Sequence, residues 1–255
     1  FDNPWIDVPP RDGKRFGAFA HPAVSSVHPY LMLNYQGKIR DVMTLAHELG
    51  HGVHQYLSAD QGDILSGTPL TLAETASVFA EQLTFRKLLA QMSKEDRIVI
   101  LASKIEDMLN TVVRQVAFCF FERELHNARK NGELTTDEIA EIWMKTQKEA
   151  LGDAFDLSEE YGNLWSYVPH FIHSPFYVYA YAFGDCLVNS LYMEYMKADD
   201  RDVFADKYLA MLSKGGSENY KVLLSEFGLD PKSETFWSGG LQMIEDLIDE
   251  LEELL

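Results

Sequence analysis

The run Thr44-Leu45-Ala46-His47-Glu48-Leu49-Gly50-His51-Gly52-Val53-His54 decides how this chain is read. Two histidines four residues apart project from one face of a helix, one turn apart. That spacing lets both imidazoles reach a single Zn²⁺ at about 2.0–2.1 Å. Glu48, next to the first histidine, can then lie beside a water that the metal activates and take its proton. The pattern works only on a helix, and the surrounding residues predict one over roughly Asp41 to Leu57. Asp41 offers a side-chain oxygen for an N-cap. Val42, Leu45, Leu49 and Val53 recur at spacings of three and four and form one apolar stripe, with His47, His51 and His54 on the other side. Gly50 and Gly52 each lower helix propensity by about 1 kcal/mol relative to Ala and are read as points where another backbone approaches.

Outward from this run, the chain has 255 residues, and its 46% hydrophobic and 24% charged composition is that of a globular protein. Its net charge of −18 argues against a nucleic-acid partner, because phosphate binding needs a basic face. Some of that acidity lies in the tail from Glu245 to Glu253, which reads as a solvated helix face. Cys119 and Cys186 form no C-x-x-C pair, which disfavours a disulfide framework or thiolate metal site and suggests buried thiols of a reducing, cytoplasmic compartment. No run of 18 apolar residues predicts a membrane span. The chain opens on Phe1 and a proline-containing stretch without a signal-peptide pattern, and it reads as a piece of something longer.

Residues 1 to 29 carry five prolines and read as irregular, with a short strand over Phe16 to Ala20. Tyr30 to Tyr35 is a second strand. After it the pattern is almost entirely helical. Helices are predicted from about Thr71 to Met92, over a long segment from Ser93 to Gly132, and from Thr136 to Gly152. Another follows Ser174-Pro175, which reads as an N-cap with proline at the first helical position. Three shorter helices complete a mainly α domain with a small β-sheet near its N-terminus.

A catalytic zinc site needs three protein ligands and an open position. Glu74 is the favoured third ligand, in Leu70-Thr71-Leu72-Ala73-Glu74-Thr75-Ala76-Ser77, whose small residues allow close helix packing. Other readings stay open. Thr71 and Glu74 also match a capping box. Glu81 lies seven residues further on the same face, and His54 shares a face with His51.

The run Thr44 to His54, followed by Ala73-Glu74-Thr75-Ala76-Ser77, resembles the oligoendopeptidase F group of thimet-oligopeptidase-like zinc metallopeptidases. The stretch Pro169 to Gly184 and the ending Phe236-Trp237-Ser238-Gly239-Gly240-Leu241 are similar to that family as well. The resemblance implies a zincin-like helical catalytic domain holding one Zn²⁺ through His47, His51 and Glu74, with Glu48 as general base. It implies that His170, His173, Tyr177 and Tyr181 belong to a substrate- and transition-state-binding stretch. A phenol is a good donor to an oxyanion, and which tyrosine acts stays open. Family members are about twice this length. Residues 1–255 therefore correspond to a single catalytic domain without an N-terminal helical half, and the face that half would cover is a candidate for self-association. The expected substrates are short peptides cut at internal bonds. The alternative is a zinc hydrolase of a non-peptide amide or ester.

Overall fold

The structure, a computed structural model, describes residues 1–255. A small sheet comes first, made of β1 (Ile6–Asp7), β2 (Phe19–His21) and β3 (Tyr30–Met32), in the order β1-β3-β2. β1 runs parallel to β3 and β2 antiparallel, with Ala20 opposite Leu31. β2 begins three residues later than the strand expected over Phe16 to Ala20. Asn34 donates its side-chain amide to the carbonyls of Arg15 and Gly17, both at 2.9 Å, and Gly17 turns at φ +84°. Residues 15 to 17 are thereby a turn, and pairing starts only at Phe19.

Helix α1 (Ile39–Ser58) carries the histidine run. Its N-cap is Lys38, and Asp41 sits three positions inside the helix instead of at the cap. The Asp41 carboxylate accepts the backbone N–H groups of Gln36 at 2.8 Å and Lys38 at 3.0 Å, which hold its pKa below the ordinary value. It still satisfies end-group donors, by the reciprocal half of a capping box.

The buried side of α1 differs from the apolar stripe. Ala46, Gly50, His54 and Ser58, four apart along one flank, are buried, and so are Glu48 and Gly52 on another. Val42, Leu45 and Leu49 are half-buried and Val53 is 47% exposed. A Cβ at Gly50 would meet the Ala76 carbonyl oxygen at 2.5 Å and the Ser77 Cα at 2.6 Å. Here α1 presses backbone to backbone on Ala76 and Ser77, so close approach and not side-chain hydrophobicity chooses the face. Gly52 lies against Leu31 of the sheet.

Short helices α2 (Gly62–Leu65) and α3 (Leu70–Ala73) lead to α4 (Thr75–Leu89). The single helix predicted from Thr71 is interrupted at Glu74, whose φ of −86° and ψ of 2° leave the helical basin. Then come α5 (Lys94–Leu109), a π-helical turn (Asn110–Arg114), α6 (Gln115–Arg129), α7 (Thr136–Leu151), α8 (His170–His173) and α9 (Tyr179–Lys197). The chain closes with α10 (Arg201–Leu212), α11 (Tyr220–Ser225) and α12 (Glu234–Leu254). The acidic tail is more than a solvated face, since Glu250 pairs with Arg86 at 2.5 Å and Arg97 at 3.0 Å and Leu247 is fully buried. No helix is long and apolar enough to cross a membrane.

The fold divides into two compact units, residues 1–102 with 186–255, and residues 103–185. The second has its own hydrophobic core of Phe118, Phe121, Trp143, Val168 and Val178. Trp143 is fully buried, and its indole N–H donates to the Tyr161 carbonyl at 3.0 Å. Thr135 caps α7, with Glu138 completing a capping box. Ser174-Pro175 does not start α9, which begins at Tyr179. Between them Phe176 adopts φ +59°, a conformation costing of order 1–3 kcal/mol for a bulky L-residue.

Candidate metal centre and active site

The break before α4 and the packing of Gly50 on Ala76 bring Glu74 to the half-buried His47 and His51 of α1. Glu74 Oε2 lies 3.5 Å from His47 Nε2 and 3.4 Å from His51 Nε2. The two ring nitrogens are 3.1 Å apart. Donor atoms at about 2.05 Å from a tetrahedral zinc are separated by roughly 3.3 Å. The three distances therefore match one triangular face of such a tetrahedron, with the fourth vertex left for water. These three residues fit a zinc ion and form the group able to hold one.

His47 is oriented by a second partner. His47 Nδ1 lies 2.6 Å from Glu81 Oε1. A proton on that nitrogen, shared with the carboxylate, leaves the Nε2 lone pair aimed at the Glu74 oxygen. The ring of His51 adjoins the backbone of Ala73. Ser77 donates its hydroxyl to Glu74 Oε2 at 2.6 Å, steadying the third candidate ligand. Burial pushes the His47 pKa down, but the Glu81 hydrogen bond and the charges of Glu81, Glu74 and Glu48 outweigh it, so the net shift is upward. For His51 burial prevails and the shift is downward.

Glu48 stands apart from the three. It is 7% exposed, and its carboxylate adjoins the backbone of Ala20 on β2. Burial, reinforced by Glu74 and Glu81, raises its pKa above the ordinary glutamate value, the direction that suits a general base near neutrality. Gln55, two turns along α1, donates to the Ala20 carbonyl at 3.2 Å. His54 lies outside the group of three. It is buried, lies 3.3 Å from the Thr68 hydroxyl, and burial together with the charge of His51 pulls its pKa down to about 4. A cavity of about 480 Å³ adjoins His51, walled by Pro22, Val24, Val27, Gln55, Asp63 and Thr68.

In the second unit His170 Nε2 lies 3.3 Å from the Tyr181 hydroxyl. The Tyr177 ring packs 5.5 Å from His170 and 5.3 Å from Tyr181. The structure thus draws three of the four predicted side chains together. His173 sits exposed at the end of α8 instead. Tyr177 precedes α9, so its meeting with Tyr181 is a packing of loop on helix and not a helical i, i+4 pair. Sequence reasoning weighed Glu81 only as a ligand. Its spacing of seven from Glu74 is the signal in the sequence for its role behind His47. Nothing in the local pattern places Ala20 of β2 beside Glu48.

The family model for Peptidase family M3 matches residues 1–243. Oligopeptidase PepF of Bacillus subtilis is 33% identical over all of this chain, which spans 38% of that protein. An oligoendopeptidase F homolog of Lactococcus lactis is 30% identical, again over the whole chain and 42% of its own length. The chain thus spans about two fifths of the length of these curated relatives. Among solved structures, a Chlamydophila abortus protein described as a peptidase superposes with a TM-score of 0.88 at 31% identity, over 98% of this chain and 42% of that one. Oligoendopeptidase-F from Enterococcus faecium gives 0.70 at 26%, over 86% and 41%.

Proposed function

We propose, from the premise that this chain belongs to Peptidase family M3, that residues 1–255 form the catalytic domain of a zinc-dependent endopeptidase cutting internal bonds of short peptides. One observation carries the reading above the others: the triangle of His47 Nε2, His51 Nε2 and Glu74 Oε2 has the edge lengths of a zinc tetrahedron, with Glu48 buried beside it. Zinc, when held there, supplies Lewis acidity, polarising the scissile carbonyl and acidifying the attacking water.

The chain's own residues do the rest. His47 and His51 present neutral imidazole nitrogens, and Glu81 keeps His47 in the right tautomer. The Glu48 carboxylate takes a proton from the attacking water and returns it to the leaving amine. His170 and Tyr181, which share a hydrogen bond, are assigned as donors to the developing oxyanion. The small-residue packing at Gly50 holds Glu74 in register with the histidines.

The test is a quenched fluorogenic peptide incubated with the zinc-loaded chain. Cleavage at an internal bond, abolished by a chelator and restored by one equivalent of zinc, supports the proposal. A chain that takes up no stoichiometric zinc, or that binds zinc and cleaves an ester but no peptide, defeats it.

A further inference from the structure

The turn between α8 and α9 concentrates two unfavourable features. Phe176 sits at φ +59°, where a large L-residue is strained. Its N–H donates to Glu122 Oε1 at 2.6 Å. Glu122, on α6, is fully buried, and its second carboxyl oxygen has no hydrogen-bond partner, a costly state for a buried polar atom. One turn further along α6, His126 lays its ring against Phe176 at a centroid distance of 4.7 Å. The local sequence does not ask for this arrangement. Ser174-Pro175 carries the signature of a helix start, yet the chain delays α9 to Tyr179.

Local rules broken together at one place point to a functional constraint. The strained residue is followed at once by Tyr177, whose ring packs on His170 and Tyr181. The dihedrals at residue 176 set where the backbone of residue 177 goes. We propose that Glu122 is a positioning residue, whose buried carboxyl pins the Phe176 amide and so fixes Tyr177 against the His170–Tyr181 pair. The catalytic consequence rests on the function proposed above for that pair, whereas the anchoring itself does not.

Glu122→Gln keeps an acceptor oxygen of nearly the same reach, and Glu122→Ala removes it. Hydrogen exchange should find the Phe176 amide protected in the wild type and in Glu122→Gln, and about 100-fold faster in Glu122→Ala. Equal exchange in all three, or loss in the Gln variant as complete as in Ala, overturns the anchor. A second pair covers the case in which Glu122→Ala does not fold. Phe176→Gly and Phe176→Ala lose the same ring, but only glycine accepts a positive φ freely. The Gly variant should have the higher Tm, and the reverse order refutes the strained turn. Turnover of one fluorogenic peptide then reads the consequence: Glu122→Ala should lose about 10- to 100-fold in kcat with KM nearly unchanged, and Glu122→Gln should stay near wild type. A wild type that cleaves no peptide defeats the proposed function and leaves the exchange and Tm results to judge the anchor. A wild type that cleaves, with an Ala variant whose Phe176 amide is released but whose kcat is unchanged, overturns the positioning role.

Discussion

Replacing Gly50 by alanine puts one methyl group where α1 meets α4. Its carbon would lie 2.5 Å from the Ala76 carbonyl oxygen and 2.6 Å from the Ser77 Cα. Ordinary van der Waals contact needs roughly 3.4 Å or more, so the backbones must part by roughly 0.9 Å. Neither obstacle is a flexible side-chain tip that could swing aside. Alanine favours the helix by about 1 kcal/mol over glycine, but overpacking of this kind costs about 1–3 kcal/mol. A net loss of about 1–2 kcal/mol in urea unfolding of the metal-free chain is expected. The functional loss should be larger than that suggests. Glu74 adjoins the first turn of α4, and a ligand displaced by more than about 0.5 Å no longer fits a preorganised site. Zinc affinity, measured by chelator competition, should fall at least about tenfold. Gly52→Ala is the control, because its methyl would meet only the Leu31 side chain at 3.1 Å. A Gly50→Ala chain as stable as its parent and equal to it in zinc affinity would refute the close-packing argument.

Glu48→Gln should retain one zinc and lose about 10²–10⁴ in kcat; zinc loss in this variant contradicts its placement outside the ligand set. Glu81→Ala should weaken zinc binding about 10- to 100-fold through the released His47 ring, and unchanged affinity by competition titration would show that the 2.6 Å contact does not orient the ligand. His54 has a pKa near 4 when folded against about 6.5 unfolded, so the unfolded chain binds more protons between those values and stability, full above pH 6.5, falls by about 2 kcal/mol at pH 5. Urea titrations of metal-free wild type and His54→Gln should differ by that slope, and parallel pH profiles would rule out a buried neutral histidine. Tyr181→Phe and His170→Ala should each lower kcat, by about 3 kcal/mol of barrier at most; changes confined to KM or to Tm assign them to substrate binding or to packing.

The helical, histidine-bearing character of residues 39 to 58 was legible because His47, Glu48 and His51 carry their meaning in spacing alone. Which flank of that helix is buried was not, since hydrophobic periodicity ranks Val53 above Gly50 while the packing against Ala76 does the opposite. Glu74 could be singled out from its small neighbours, yet the helix break that frees its side chain depends on contacts distant in sequence. The misplaced start of α9 has the same origin. Ser174-Pro175 is a sound local signal, overridden by Glu122 some fifty residues earlier in the chain. Asp41 was correctly read as a residue that satisfies the helix end and wrongly placed by three positions, because its carboxylate can serve from inside the first turn as well as from the cap.

The inverted burial of α1 also bears on how this helix can vary. In an ordinary amphipathic helix the large apolar positions tolerate change least and glycines are the easiest to replace. Here a saturation scan should run the other way. Leu45, Leu49 and Val53 should accept polar residues with modest effect, while every side chain tried at Gly50 is purged. Drift among related sequences would then blur the apolar stripe that first suggests a helix and leave the glycine as the more durable trace of the site beneath it.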